Sequence, residues 1–201
     1  MKTSELNKIM KGLNLQKKFK KKGRLAYYTL KHNSGAVVLV GLYLDRSINP
    51  DIFYVYYFAQ CLYEPFCTYN FSLGNRIGNC WDVNSVPQLQ ERINNFDVFD
   101  GLSCFDDFMR LLENHPFFGN KTGRNVYFAL TYYILGEYDK SLHYLNEIIS
   151  LRREENDKLF FQEKENALTM KSYIMEKNYN EGITQILQWQ DQTIKELGLK
   201  L

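Results

Sequence analysis

The stretch from Leu25 to Phe58 limits the fold more than any other, because three β-rich runs follow one another across turn chemistry. Leu25-Ala26-Tyr27-Tyr28-Thr29-Leu30 is rich in β-formers, and His32-Asn33-Ser34-Gly35 ends it, with Gly35 free to take a positive φ. Ala36 to Leu44 is an almost unbroken apolar run, Asn49-Pro50 breaks the chain, and Ile52 to Phe58 completes the third strand. Connections this short make neighbouring antiparallel strands, so the reading is a meander sheet with one covered face.

The flanking segments read as cover. Leu6, Ile9, Met10 and Leu13 recur at helical spacing, with Ser4 as the cap and Asn7 in the place of a capping-box partner. Phe66 to Leu73 alternates, with Cys67, Tyr69, Phe71 and Leu73 on one side, and predicts a fourth strand. Cys80 to Val83 reads as a short edge strand. A helix is expected from Ser85, with Pro87 in its first turn and Leu89 and Ile93 facing inward. Phe96 to Gly101 reads as a connector with buried aromatics, and Ser103 as the cap of a helix through Glu113, stopped by Pro116.

Beyond that point nothing reads as strand. Helices are expected over Arg124–Leu135, Asp139–Leu151, Asn156–Glu176 and Asn180–Leu197, with Leu142, Leu145, Ile148 and Ile149 on one face of the second. The pairs form an imperfect repeat: Ala129-Leu130-Thr131 recurs as Ala167-Leu168-Thr169, and Tyr138 recurs as Tyr179. Leu135-Gly136-Glu137-Tyr138-Asp139-Lys140-Ser141-Leu142 is similar to the turn of a tetratricopeptide hairpin, in which Gly opens the helix end and Tyr packs between helices. Two hairpins are fewer than a solenoid needs to stand alone, so they are expected to dock on the sheet. The N-terminal half, with its leading helix, Lys-rich segment closing in Gly23, strand meander and Ile77-Gly78-Asn79-Cys80-Trp81, resembles the family known as domain of unknown function 4304. That resemblance implies an α+β fold in a small bacterial protein and brings no activity. The expected architecture is therefore α+β: an N-terminal helix and an antiparallel meander of four to five strands over residues 1–115, then helical hairpins over 116–201.

Charge is unevenly spread. Residues 1–32 hold ten Lys or Arg against one acid, while the rest hold fifteen against twenty-two. The bias concentrates in Lys17, Lys18, Lys20, Lys21, Lys22 and Arg24, a segment able to meet phosphates or an acidic protein surface. Only Phe19 interleaves it and the remainder is net acidic, which disfavours nucleic acid relative to a protein partner or a solvated face. The N-terminus lacks an apolar core segment and a cleavage site, and no apolar run approaches the roughly 18 residues of a membrane span. Cys61, Cys67, Cys80 and Cys104 show no C-x-x-C spacing, so reduced, buried thiols and a cytoplasmic protein are expected.

Catalytic sets do not assemble along the chain. Cys104 and His115 stand eleven residues apart on one expected helix, about 16 Å at 1.5 Å per residue, too far for proton transfer. His32 falls in a turn and His143 on a helix beside Leu142. No His or Cys pair has metal-ligand spacing, and the side chains of Asp106 and Asp107 diverge by about 100° on a helix. Gly74-Asn75-Arg76-Ile77-Gly78 lacks phosphate-cradle spacing, although Arg76 and Trp81 are close enough in sequence for a small stacking or anion site. No metal and no cofactor are expected. The leading functional expectation is a non-enzymatic protein–protein interaction module, of which a bacterial immunity-type protein that neutralises a toxin is one concrete version. An anion or nucleic-acid binder through Lys17–Arg24 and an enzyme with a dispersed site are the alternatives.

Overall fold

The computed structural model describes residues 1–96, 101–115, 121–151 and 158–201. In chain order it contains α1 (Thr3–Gly12), β1 (Lys20–Lys22), β2 (Leu25–Lys31), β3 (Val37–Arg46), β4 (Phe53–Cys61), β5 (Gly74–Arg76), α2 (Val86–Asn94), α3 (Phe105–Asn114), α4 (Lys121–Ile134), α5 (Tyr138–Ser150), α6 (Lys158–Met175) and α7 (Tyr179–Glu196). The fold is α+β, a helix and a five-stranded antiparallel sheet followed by a helical half. Most of the expected connector from Phe96 to Gly101, Pro116 and the start of the helix expected at Asn156 lie outside the described residues.

The chain forms two compact units. The first is Met1–Lys31, Val38–Gln60 and Tyr69–Asn114; the second is His32–Val37, Cys61–Thr68 and His115–Leu201. Two short segments from within the N-terminal half thus belong with the helices.

In the first unit the strands lie in the order β1-β2-β3-β4-β5, with Lys20 opposite Tyr27 at one edge and Phe58 opposite Gly74 at the other. Leu39 and Leu42 from β3, Phe53 and Phe58 from β4, Leu6 and Met10 from α1 and Phe108 from α3 are fully buried. The alternation over Phe66–Leu73 does not make a strand. Its part from Tyr69 to Leu73 lies across the sheet, with Tyr69 5.4 Å from Tyr43 and Phe71 stacked 4.9 Å from Tyr56. Side chains supply two of its backbone bonds: Asn70 N–H donates to Gln60 Oε1 and Ser72 N–H to Asn70 Oδ1. The strand that pairs with β4 is the shorter β5, and Cys80–Val83 contributes one bridge, Trp81 with Phe53.

Two helix starts also differ from the expected caps. Glu5, not Ser4, closes α1 by accepting the Lys2 N–H at 2.6 Å. At α3 the bonds at the helix start go to Asp107 rather than to the Ser103 hydroxyl. The Asp107 carboxylate reaches back to accept Ser103 N–H, Ser103 Oγ–H and Cys104 N–H, and these bonds hold it well below the usual carboxylate range.

In the second unit each of α4, α5 and α6 packs on the next, and α7 also meets α4. Tyr138 and Tyr179, which open α5 and α7, stack face to face at 3.9 Å. The preceding turns share one geometry. Gly136 (φ 75°) donates to Tyr133 O while Glu137 donates to Tyr132 O; Lys177 (φ 59°) donates to Ile174 O while Asn178 donates to Tyr173 O. Both are helix ends that need a left-handed residue, and only the first has glycine there. Lys177→Gly is therefore expected to stabilise the protein by about 1 kcal/mol, since a left-handed L-residue costs roughly that much. Urea unfolding checks it, with Gly136→Lys changing the midpoint in the opposite direction.

Polar residues on α7 hold the two segments borrowed from the N-terminal half. Gln190 Oε1 accepts Val37 N–H at 2.7 Å and its Nε2 donates to Gly35 O. Thr193 Oγ1 donates to Glu64 O at 2.8 Å and accepts Phe66 N–H. These bonds fix the strip from Cys61 to Thr68 and set the direction of the side chains it carries.

Candidate functional site

The basic segment is built into the first unit. Lys20, Lys21 and Lys22 form β1, the outer strand beside β2, and all three are exposed. Lys21 Nζ donates to Leu13 O at 2.5 Å and to Lys11 O at 3.1 Å, closing the C-terminal end of α1. Lys18 Nζ lies 4.4 Å above the Tyr28 ring, and Phe19 meets that ring edge-on. Arg24 stacks on Tyr43 at 4.8 Å and pairs with Asp45 at 3.4 Å. Lys17 is exposed. Lys18, Lys21 and Arg24 thus have partners inside the fold, and Lys20, Lys21 and Lys22 are each exposed along β1.

Arg76 and Trp81 turn to different neighbours. The Arg76 guanidinium lies 4.0 Å over Tyr54, and its Nε donates to Tyr56 Oη at 2.8 Å. Trp81 donates its indole N–H to Ile77 O and packs against Gly78, where a β-carbon would stand 2.8 Å from its ring. Both side chains secure the β5 edge.

The cysteines depart from the expectation of burial. Cys61 alone is buried; Cys67, Cys80 and Cys104 are exposed, because they fall in connecting segments rather than in strand or helix interiors. Burial pushes the Cys61 thiol well up, against a hydrogen bond to Tyr63 that lowers it, so it is held as a thiol rather than a nucleophilic thiolate. Tyr63 Oη and Thr131 Oγ1 are 2.8 Å apart, and Thr131 donates to Tyr127 O. His143 is exposed, its ring edge-on to Tyr144.

Sequence reasoning missed the most unusual group in the molecule. Glu64 is only 2% exposed, and among the described residues neither carboxyl oxygen has a hydrogen-bond partner. It lines a chamber of about 40 Å³ in the second unit, walled by Val126 and Leu130 of α4, Leu145 and Ile148 of α5 and Ala167 of α6. Burial raises the Glu64 carboxyl well above its ordinary 4.5, and the neighbouring charge of Glu163 raises it further. Next to the chamber lies an outer groove of about 480 Å³, bordered by Cys67, Gln192 and Glu196. Pro65, Phe66, Gln162, Asn166 and Trp189 line both spaces and form the neck between them. Among the described residues, no Lys, Arg or His lines either space, whereas Glu64, Glu163 and Glu196 do. The only local signal is a single acid in the otherwise apolar run Cys61-Leu62-Tyr63-Glu64-Pro65-Phe66.

Among the described residues no group of three or more His, Cys, Asp or Glu is placed to hold a metal ion, and no helix is long and apolar enough to cross a membrane. No family model, curated protein or solved structure matches the chain.

Proposed function

We propose that the chain is a non-enzymatic binding module that holds a protein partner in the groove of its helical unit. The observation that carries this reading is the composition of the groove. Phe66 and Trp189 supply aromatic walls, Gln162, Asn166 and Gln192 supply amides, Glu196 supplies charge, and no described cation competes. Aromatic anchors within a polar rim are what protein interfaces use, and a groove whose one described charge is acidic favours a basic segment. The likeness of the Gly136–Tyr138 turn to a tetratricopeptide hairpin supports the same reading, because helical repeats of that kind commonly bind on their surfaces.

Cys67 gives a direct test, since it is exposed and borders the groove. With Cys80 and Cys104 replaced by Ser, a photo-crosslinker on Cys67 is expected to trap one protein from a native lysate. Trapping should fall at least fivefold in Trp189→Ala and persist after nuclease treatment. A blank lane, or a signal lost with nuclease, defeats the reading.

A further inference from the structure

We propose that Glu64 is the receptor for an alkylammonium group: a primary ammonium on an apolar stem passes the Phe66–Trp189 neck and pairs with the carboxylate. The identification of the stem as a lysine side chain rests on the protein-partner reading above.

The chemistry follows from the walls and the floor. A carboxyl taken out of water without a partner is costly, and a fold that holds one closes the deficit when a donor arrives. Among the described residues neither Glu64 oxygen has a partner, and Glu64 lines a space whose other walls are mainly apolar. Such walls favour methylenes, and a carboxylate pair favours a cation with several N–H donors. Lysine combines a four-carbon stem with a compact ammonium, whereas the flat guanidinium of arginine is bulkier. A chamber of about 40 Å³ has room for a few water-sized atoms, which suits the ammonium and its nearest methylenes. The rest of the stem then lies in the neck, where Trp189 and Phe66 offer ring faces to the cation on its way in.

Occupation changes the protonation of the site. The titratable groups facing Glu64 are Cys61 of its own strip, Tyr127 of α4 and Glu163 of α6; the described residues of α5 and α7 bring none to the chamber. Burial keeps Cys61 and Tyr127 protonated and uncharged. When an ammonium enters, Glu64 gives its proton to solvent and becomes the counter-ion, so up to one proton is released per ligand bound.

The experiment uses the full chain and three probes of matched length: n-pentylamine, 1-pentanol and Nα-acetyl-lysine N-methylamide, with the arginine analogue alongside. Binding is read from the Trp189 indole N–H resonance and from calorimetry in two buffers of different ionisation enthalpy. Pentylamine and the lysine derivative are expected to bind at least tenfold more tightly than pentanol and the arginine analogue. Glu64→Gln should weaken them at least tenfold, and the heat in wild type should differ between buffers by the proton released. Should Glu64→Gln fail to fold, the pentylamine–pentanol ratio and the buffer dependence in wild type still decide. Equal binding of pentanol, no binding of either amine, or a buffer-independent heat overturns the proposal. Binding of pentylamine but not of the lysine derivative supports the ammonium receptor and overturns lysine as its source. A crosslinked partner at Cys67 together with no amine binding leaves the protein-partner reading standing and removes this one.

Discussion

Replacement of Gly74 by Ala is expected to destabilise the first unit by about 3 kcal/mol or more, among the largest effects available to a single methyl group here. Gly74 begins β5 opposite Phe58, and a β-carbon on it would lie 2.1 Å from Tyr57 O and 2.7 Å from Phe58 Cα. Those are main-chain atoms of an interior strand, so no rotamer change relieves the contact. Either β5 leaves the sheet or β4 bends. Ala59 N–H donates to Leu73 O at 2.8 Å directly beside that point, and Ile77 N–H donates to Val55 O on the other side, so the displacement spreads. Urea unfolding with a probe in the sheet should show the loss. A change below 1 kcal/mol would mean that β5 is not held as described. By comparison, Gly182→Ala in α7 meets the Tyr133 hydroxyl, where its β-carbon would fall 1.9 Å away, and Tyr133 is fully buried and has little room to yield.

Replacing Glu64 by Met acts in the opposite direction, with an expected gain of roughly 1–3 kcal/mol at neutral pH, the usual size of an unmet buried polar group. The sign with pH follows from linkage. Glu64 binds its proton more tightly folded than unfolded, so its contribution is most favourable below its ordinary 4.5 and is lost as pH rises through the folded value. The advantage of Glu64→Met should therefore narrow as pH falls towards 4.5 and widen above it. Asp107 works the other way: its lowered carboxyl stabilises the fold above its ordinary 3.8 and stops doing so as pH falls through the lower folded value. Comparing the variant with wild type at each pH cancels that term. A gain of the same size at every pH from 4 to 8 would show that cavity filling, not charge, accounts for it.

The stability gain and the ammonium proposal bear on each other. A side chain whose removal strengthens the fold while removing a ligand has the profile of a functional group rather than a structural one. Once an ammonium sits against it, the carboxyl is charged with a partner and the folded state no longer carries the deficit.

Some of this was legible in the chain and some was not, for physical reasons. The runs Leu25–Leu30 and Ala36–Leu44 carry enough β-forming, apolar character to determine their own structure, and the turn at Gly35, with φ 94°, formed where its chemistry required. Alternation over Phe66–Leu73 misled because a stretch lying flat over a sheet, as Tyr69–Leu73 does, also places every second ring against it. Only the destination of its backbone bonds separates cover from strand, and that is a tertiary property. Acids reaching backwards to cap helices, as Glu5 and Asp107 do, compete with the more familiar Ser caps and here prevail through charge. Glu64 was illegible because the walls that isolate it come from Val126, Leu145 and Ala167, 62 to 103 residues further along the chain. No local pattern encodes such an enclosure.

The lysine row on β1 bears on how this molecule behaves in a crowd. An outer strand offers unpaired backbone groups that any passing extended chain can adopt as a template, the first step towards aggregation. Here that strand is three residues long and each residue is an exposed lysine, so an approaching copy must bring three positive charges against three more. Colloidal stability therefore depends on those ammonium groups keeping their charge. Acetylating Lys20 and Lys22, which leaves the Lys21 bonds to the end of α1 in place, would lower this protection against growth of the sheet from one molecule into the next.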